Sequence, residues 1–491
     1  MKKITFNPIK LLQNSFIVSF GTIIGRLSLV ISQILLARFL GPDQYGLFIL
    51  GWTILRLNGI FSVFGIDKTV IFLCSGKSFD STLNQNLSIA IILSTLISLL
   101  SCSLIYFNSI YISMFFSSIN LNIYLPSFAI ICFLYILNQI LASITRVNNQ
   151  MIFSLLIKDL IQPVVMIILI LLLKYFDLLT LQNVLNILII TFFIPFSVGI
   201  FFIKKTFPKF LLISFSFGKL NEFVKHSFSA FTAGIFSMLM LWVDRIMIGI
   251  YCTNSDLGVY QVATQSTMIV TMFIASLSMA MSPSISKFYK DLNYNMIEEY
   301  FIATVRWSCY ICFPMIVILY TNSQNFISLI YGSSFSYASD SLKILSIAKL
   351  VHVICGSVGI LLVMTNNNKI WFKGTVCFFI INILFNFYLI PKFGIIGAAI
   401  STCISISLLF LFGRLIINKR LKISLYNHAI FKIFISFILT LFIINFLAPF
   451  FGAQTLSLML FSLLTYAIFF ILIFISKVYK IDFNFLYNEN E

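Results

Sequence analysis

The sequence predicts an all-α polytopic membrane protein of about 14 transmembrane helices. Of its 491 residues, 60% are hydrophobic and only 10% are charged, and the mean hydropathy is +1.04. A soluble globular chain has nearer a quarter of its residues charged. The apolar residues recur in runs of roughly 20 to 25, which cross a ~30 Å hydrocarbon core as helices, and the sequence lacks the alternating pattern of barrel strands.

Each expected span is an apolar run bounded by Lys, Arg, Gly, Pro or Asn. The stretch 108–122 between the third and fourth runs has the composition of a short interfacial helix. The expected spans are 15–37, 46–67, 87–106, 124–144, 152–173, 181–203, 226–250, 258–283, 300–320, 341–364, 371–391, 395–413, 429–450 and 455–476.

The positive charge of the chain predicts its orientation. The chain has 32 Lys and Arg against 15 Asp and Glu. With the N-terminus inside, 22 of the Lys and Arg fall in cytoplasmic segments and 3 in outer loops, as the positive-inside rule requires. We therefore expect both termini in the cytoplasm, and no nucleic-acid partner, because topology accounts for the charge.

Cysteine and histidine give no sign of a metal or catalytic centre. Eight of the nine cysteines lie in or against apolar runs, where they are typical small buried residues. Cys309 and Cys312 form a CxxC pair, but no second pair or polar histidine accompanies them, which favours helix packing over zinc binding. We expect no metal, no cofactor and no catalytic residues.

An internal repeat divides the chain. Ser15 and Gly46 open the first two spans, and Ser227 and Gly258 open the seventh and eighth, at an identical offset of 212 residues. This spacing predicts two six-helix lobes in the same orientation, because both copies begin on the cytoplasmic side. The expected domains are an N-terminal lobe, a C-terminal lobe and two additional spans with a cytoplasmic tail, over 1–212, 213–423 and 424–491.

Three stretches resemble a known family. They are NSFIVSFGTIIGR with LARFLGPDQYGLF near the N-terminus, WVDRIMIGIYCTNSDLGVY across the seventh and eighth spans, and NILFNFYLIPKFGIIGAAIST across the eleventh and twelfth. They resemble the polysaccharide flippases, typified by O-antigen flippases, of the multidrug/oligosaccharidyl-lipid/polysaccharide exporter superfamily. The resemblance implies two six-helix lobes around a central cavity with alternating access, and the last two spans look like the additional pair that some members carry.

The resemblance also implies a substrate and a setting. The substrate would be a polyprenyl-pyrophosphate-linked oligosaccharide, moved from the cytoplasmic to the outer leaflet of a bacterial cytoplasmic (inner) membrane for O-antigen, capsule or exopolysaccharide assembly. Polysaccharide polymerase and chain-length machinery would then be partners, beside the lipid bilayer itself.

Two arginines near the bilayer midplane are the first candidates for binding an anionic head group. Arg26 lies about ten residues, roughly 15 Å, from the inner end of span 1, and Arg56 about ten residues from the outer end of span 2. A charge at that depth costs at least ~2.5 to 3.5 kcal/mol, so it should face water or a partner. Arginine can grip pyrophosphate in bidentate fashion. The alternative is a structural hydrogen bond to helix carbonyls.

Helical facing and the repeat add Gln33, Arg245 and Asp244. Gln33 lies seven residues after Arg26 on the same helix face, and the repeat offset relates Gln33 to Arg245. We expect Gln33 and Arg245 to line the outer part of one cavity. Asp244 points about 100° away from Arg245, and the sequence leaves two roles open for it, a salt bridge within a lobe or coupling to H+ or Na+.

The remaining polar groups in the spans are weaker candidates. Lys349 is the deepest and is kept as a substrate-binding candidate, whereas Arg306 and Lys343 lie near enough to span ends to snorkel. Asn382 and Asn386 share a face, where packing is favoured over sugar binding. Four charged residues are interpreted as markers of helix ends and left out of the site: Asp67, Lys68, Lys158 and Asp159.

Two other functions compete with a flippase. A drug or cation antiporter of the same fold would usually expose acidic side chains in its cavity, whereas the deep charges here are mostly basic. A membrane glycan polymerase or ligase would need a sizeable outer loop with acid, base or arginine groups, and the longest outer segments, 107–123 and 321–340, contain one charged residue, Asp340.

Overall fold

The computed structural model describes residues 8–75, 81–148, 150–207, 217–423, 428–448, 451, 455–479 and 481. Every regular element among them is a helix, which confirms the all-α prediction. Eleven helical segments of the described chain are long and apolar enough to cross a membrane. Contacts divide the chain into unit 1, Met1–Ile250, and unit 2, Tyr251–Glu491.

Unit 1 holds ten α-helices and one π-helix among its described residues. The last of them, α10, ends at the boundary with unit 2. They are α1 (Pro8–Val63), α2 (Ile66–Cys74), α3 (Ser81–Phe107), α4 (Ser109–Phe115), α5 (Leu121–Val147), α6 (Met151–Leu155), the π-helix (Leu156–Leu160), α7 (Ile161–Tyr175), α8 (Leu181–Thr206), α9 (Phe217–Leu239) and α10 (Val243–Tyr251).

The first predicted span and most of the second lie in α1, which consists of two helices joined at a sharp break. Its 56 residues correspond to about 84 Å of helix, far more than one membrane crossing needs. At Gly41 the backbone has φ 73° and ψ 172°, and Pro42 follows. A Cβ added at Gly41 would meet no described atom within 4 Å, so lack of space is not the reason for glycine there. The positive φ is the reason, because residues with a side chain rarely adopt it.

The core of unit 1 lies around α5, the most buried of its candidate spans that the structure describes. Ile140 and Ile144 of α5 pack in one cluster with Leu87 of α3, Val70 of α2 and Phe223 of α9. Helix α9 therefore packs with the helices of unit 1, and the boundary between compact units falls after residue 250. The division into lobes at 212 and 213 stays a prediction.

Unit 2 holds eight α-helices and a short 3-10 helix in its described part. Helix α11 begins with a capping box in which Thr253 and Asp256 satisfy each other's backbone N–H groups. The elements are α11 (Asn254–Lys290), α12 (Tyr294–Thr321), α13 (Ser323–Tyr331), the 3-10 helix (Ser333–Phe335), α14 (Ala338–Cys355), α15 (Val358–Met364), α16 (Asn368–Leu421), α17 (His428–Leu447) and α18 (Thr455–Ile475).

The last two helices pack against α12. Phe313 of α12 lies 4.7 Å from Phe437 of α17 and 6.3 Å from Phe469 of α18, ring centre to ring centre. The Tyr466 hydroxyl of α18 donates a hydrogen bond of 3.1 Å to the carbonyl oxygen of Ile311. Aromatic packing therefore joins the additional pair of helices to unit 2.

Several predicted spans are interrupted in the structure. The seventh is divided between α9 and α10 by a turn at 240–242, and the fifth contains the π-helix. The tenth is divided at Gly356, where φ is 72°, and Gly394 with φ 56° interrupts α16 between the eleventh and twelfth. A short helix, α4, lies in the stretch expected to hold one. Residues 208–216, between the sixth and seventh predicted spans, and the tail from 482 lie outside the described residues.

Candidate functional site

Unit 1 contains a cavity of about 350 Å³. Helices α1, α2, α5, α7, α8 and α9 and the π-helix all contribute to its wall. The charged residues of the wall are four cations, Arg26, Arg56, Lys68 and Lys158, and two carboxylates, Asp67 and Asp159. Uncharged polar side chains are Tyr135, Asn138, Gln139 and Gln162.

A close approach of two backbones forms one side of this cavity. A Cβ added at Gly25 of α1 would overlap the carbonyl oxygen of Asp159, so only glycine fits there. Asp159 and Lys158 belong to the π-helix, a type of one-turn irregularity that recurs at functional sites. Arg26 follows Gly25 in the sequence. The contact therefore places Arg26 on the same cavity wall as Lys158 and Asp159.

Arg26 is an exposed side chain on the cavity wall. Among the residues that the structure describes, it has no hydrogen-bond or ion-pair partner. Its guanidinium is therefore available to an anionic ligand. The structural alternative considered for Arg26, a hydrogen bond to helix carbonyls, has no support from the described contacts.

Arg56 is half-buried and held by two aromatic rings. Its guanidinium carbon lies 4.9 Å from the ring centre of Trp52 and 4.8 Å from that of Tyr135. Its Nη1 donates a hydrogen bond of 2.8 Å to the Tyr135 hydroxyl, whereas its buried Nε has no acceptor. An unsatisfied buried donor costs roughly 1–3 kcal/mol, and more when it is charged. Cation–π attraction to the two rings fixes the orientation of the Arg56 guanidinium. Its buried Nε–H has no acceptor among the described residues.

Asn138 is the complementary case, a buried acceptor without a donor. Its side chain is 4% exposed, and its Nδ2 donates a hydrogen bond of 2.9 Å to the carbonyl oxygen of Phe192 on α8. That bond identifies which end of the amide is nitrogen, because a carbonyl oxygen can only accept. The Oδ1 atom has no hydrogen-bond partner.

Four charged residues that were left out of the expected site line the same cavity as Arg26 and Arg56. Asp67, Lys68, Lys158 and Asp159 were interpreted as markers of helix ends, yet all four line the cavity with Arg26 and Arg56. Asp67 does lie in the first turn of α2, where the helix dipole favours a carboxylate. The Nζ atom of Lys68 would lie 3.2 Å from a Cβ at Gly234, which places the ammonium beside α9.

Three predicted candidates of unit 1 are absent from the wall of this cavity. Gln33 is half-buried and accepts a hydrogen bond of 3.1 Å from the Tyr45 hydroxyl. Asp244 and Arg245 are buried at the start of α10, with 4% and 5% exposed. The place expected for Gln33 and Arg245 in a cavity between lobes stays a prediction.

Arg245 has a local structural partner. Its Nη1 donates to the carbonyl oxygen of Leu241, and its guanidinium carbon lies 5.0 Å from the ring centre of Trp242. Both contacts are to the turn that separates α9 from α10. Arg245 therefore stabilises this turn.

The candidates of unit 2 differ in burial. Lys349 is half-buried on α14, one turn before His352, whose ring stacks on Phe410 at 3.8 Å. Asn386 donates a hydrogen bond of 3.2 Å to Asn382, and both are buried, which supports packing.

Two basic side chains of unit 2 were expected to reach the membrane interface. That expectation was wrong for Arg306, because its side chain is 4% exposed. The sequence of an apolar span does not show which of its polar side chains are enclosed by protein. Lys343 pairs with Asp340 at 3.2 Å in an exposed ion pair.

The described residues contain no group of three or more His, Cys, Asp or Glu that could hold a metal ion. Cys309 and Cys312 are free thiols, both buried, which supports helix packing. Cys377, however, is exposed, so one cysteine interpreted as buried lies on the surface.

Comparison with known proteins decides the family. Residues 35–340, more than half of the chain, match a family described as polysaccharide biosynthesis protein. The chain belongs to that family. This result confirms the resemblance to the polysaccharide flippases of the multidrug/oligosaccharidyl-lipid/polysaccharide exporter superfamily.

Two similar proteins are from Haloferax volcanii. The probable low-salt glycan biosynthesis flippase Agl15 is 26% identical over 190 residues, 39% of this chain and 40% of Agl15. The probable flippase AglR is 27% identical over 173 residues, 34% of this chain and 36% of AglR. The chain is thus matched over less than half of the length of these relatives.

Solved structures show the same fold. The lipid II flippase MurJ, in an inward closed conformation, has a TM-score of 0.73 at 21% identity, covering 92% of this chain and 98% of MurJ. A multidrug resistance transporter of the MATE family has a TM-score of 0.66 at 14% identity, covering 81% and 94%. The apolar helices and this fold identify a multi-pass membrane protein.

Proposed function

We propose that the protein is a flippase that moves polyprenyl-pyrophosphate-linked oligosaccharide repeat units from the cytoplasmic to the outer leaflet. The cavity of unit 1 is the observation that carries this proposal. Four cations and two carboxylates line it within a chain that has only 10% charged residues. Charges inside a membrane protein are costly and mark substrate pathways.

The charge balance of the cavity fits a diphosphate. Arg26, Arg56, Lys68 and Lys158 exceed Asp67 and Asp159 by two positive charges. A diphosphate bonded to a lipid on one side and to a sugar on the other carries two negative charges at neutral pH. The balance favours such an anion over a cationic drug, and so favours a glycan-lipid flippase over a drug or cation antiporter.

The polar side chains of the wall suit the sugar part of the substrate. Amides, a phenol and carboxylates can donate to or accept from hydroxyl groups, and Asn138, Gln139, Gln162 and Tyr135 stand beside the cations. Glycan biosynthesis flippases among the similar proteins and the family match support the same substrate class. A transporter is favoured over an enzyme, since these relatives are flippases.

The proposal includes the arrangement expected from the sequence. It has 14 spans in two six-helix lobes plus two further helices, alternating access, H+ or Na+ coupling, and both termini in the cytoplasm of a bacterial inner membrane. Within it, the glycan enters O-antigen, capsule or exopolysaccharide assembly, and polymerase and chain-length proteins act next.

A leaflet assay in cells tests the function. Deletion of the gene should abolish surface polysaccharide while lipid-linked repeat units accumulate on the cytoplasmic leaflet, and the wild-type gene should restore export. Accumulation on the outer leaflet would instead indicate a polymerase or ligase, which acts after flipping.

Cysteine labelling tests the orientation. In a Cys-free background, a cysteine placed at 253–256 should react with an impermeant reagent from outside, and one near Lys209 only from inside. Lys209 lies outside the described residues, so its side is a prediction from charge alone. External labelling near Lys209 would overturn the orientation.

A further inference from the structure

The cavity of unit 1 is lined by residues with two buried hydrogen-bonding atoms of opposite type that no group in the described part of the chain satisfies. Arg56 Nε is a donor without an acceptor, and Asn138 Oδ1 is an acceptor without a donor. Both residues line the cavity. Buried polar groups in native proteins are nearly always paired with protein or with ordered water, so these two atoms on the cavity wall are candidates to pair with a bound group.

Arg56 and Asn138 are linked through Tyr135. Arg56 is held by Tyr135, through a hydrogen bond of 2.8 Å and the ring contact, and Tyr135 lies three residues before Asn138 on α5. Residues three apart on a helix are neighbours, about 5 to 6 Å between Cβ atoms. Arg56 and Asn138 therefore both lie next to Tyr135 on the cavity wall, where one ligand can span them.

A phosphate cannot satisfy both atoms. The oxygens of an ionised phosphate diester only accept hydrogen bonds, so they suit the guanidinium of Arg56 and repel the lone pairs of Asn138 Oδ1. Asn138 requires a hydroxyl or an amide N–H. A sugar phosphate offers both, because the ring carbon next to the one that bears the phosphate carries a hydroxyl or an acylamino group.

We propose that Asn138 is a specificity-determining residue that accepts a hydrogen bond from the substituent on the ring carbon adjacent to the phosphate-bearing carbon. This inference rests on the proposed function and adds to it the part of the sugar that is recognised. The Nδ2 bond to the Phe192 carbonyl positions the amide so that Oδ1 is kept for the ligand. The cations bind the diphosphate, and Asn138 distinguishes the first sugar.

The test uses three probes that differ in one group. They are polyprenyl diphosphates carrying one hexose with a 2-hydroxyl, with a 2-deoxy carbon, or with a 2-O-methyl group, which retains the oxygen but has no donor. The affinity of each is measured with the whole protein in nanodiscs. Wild-type protein should bind the 2-hydroxyl probe at least about tenfold more tightly than the other two, because loss of the donor leaves Oδ1 unpaired.

Two variants separate recognition from support of the fold. Asn138→Leu and Asn138→Asp both lose the Nδ2 bond to Phe192, but only Asn138→Asp keeps an acceptor. Asn138→Leu should bind the three probes with affinities within about twofold of one another, whereas Asn138→Asp should still prefer the 2-hydroxyl probe. The comparison is made at matched amounts of folded protein.

The outcomes are distinct. Equal affinities of wild-type protein for the three probes would overturn this inference and leave the flippase proposal standing. An undiminished preference in Asn138→Leu would assign Asn138 to the fold alone and also overturn the inference. Failure of wild-type protein to bind any of the probes would contradict the proposed function itself.

Discussion

The arginines on the cavity wall of unit 1 and two buried arginines of unit 2 have different surroundings. In unit 1, Arg26 and Arg56 line a cavity together with amides and further charges. In unit 2, Arg306 and Arg414 are 4% and 3% exposed, and the guanidinium carbon of Arg414 lies 5.0 Å from the ring centre of Phe301. Arg26 and Arg56 can therefore meet a ligand in the cavity, whereas Arg306 and Arg414 are enclosed by protein.

The difference shows that depth in a span does not assign a role to a cation. Arg26 and Arg306 each lie about a dozen residues or more inside their helix ends. What separates them is the local backbone, because the contact of Gly25 with the π-helix brings Arg26 to a polar wall. Substitutions that remove these contacts one at a time should therefore differ in their effect on flipping.

The largest effect is expected from Arg26→Ala. Flipping in proteoliposomes should fall at least about 100-fold, because a bidentate pair of charge-assisted hydrogen bonds is lost. Membrane insertion should stay intact, since removal of a midplane charge makes insertion easier. Arg26→Lys should restore little, because a point charge lacks the planar fork. Full flipping by Arg26→Ala at normal protein levels would remove Arg26 from the site.

A second large effect is expected from Gly25→Ala. The added methyl group would overlap the Asp159 carbonyl, and overpacking of this kind costs about 1–3 kcal/mol. The thermal midpoint should fall, and flipping per folded molecule should fall with it, because Lys158 and Asp159 are displaced.

Gly218→Ala is the matched control for that change. No atom of the described residues lies within 4 Å of a Cβ at Gly218, which also belongs to a helix, α9. It should retain or slightly raise stability, as Ala for Gly in a helix does by roughly 0.5–1 kcal/mol. Equal behaviour of the two variants would mean that the contact of α1 with the π-helix is not required.

An intermediate effect is expected at the aromatic pair that holds Arg56. Arg56→Lys should reduce flipping about tenfold, because an ammonium keeps the charge but loses the fixed orientation between Trp52 and Tyr135. Tyr135→Phe removes only the hydroxyl acceptor and should reduce flipping a few-fold, since a neutral partner contributes less. A larger loss in Tyr135→Phe than in Arg56→Lys would assign the main role to the phenol.

The smallest effect on flipping is expected from Arg245→Ala. Arg245 bonds the carbonyl of Leu241 in the turn before α10, so its loss should lower the thermal midpoint. Flipping per folded molecule should decrease less than in Arg26→Ala. Stability unchanged together with abolished flipping would place Arg245 in the substrate site instead.

Sequence patterns predicted the helices and the two cavity arginines, and missed most of their neighbours. The hydropathy pattern predicts the apolar runs, and charged residues inside those runs stand out. Arg26 and Arg56 were identified in this way. The pattern does not reveal the π-helix that places Lys158 and Asp159 on the wall, nor the packing of α9 that brings Gly234 beside Lys68. The adjacent pairs Asp67–Lys68 and Lys158–Asp159, each near a span end, were the available signal.

The hydrophobic periodicity of the sequence also did not predict where the spans are interrupted. The turn between α9 and α10 and the division at Gly356 both fall within apolar runs, and an apolar run predicts one helix. Arg306 was expected near the interface because it lies six residues inside the predicted span 300–320, whereas α12 begins at Tyr294 and buries the side chain.

The most direct test of the cavity as the anion site is a binding measurement with paired lipids. The affinities of wild-type protein and Arg26→Ala are measured for one glycan on a polyprenyl diphosphate and on a polyprenyl monophosphate. Wild-type protein should prefer the diphosphate by at least about tenfold, and Arg26→Ala should lose most of that preference. Identical affinities of the two proteins for both lipids would contradict the assignment of the cavity to the diphosphate.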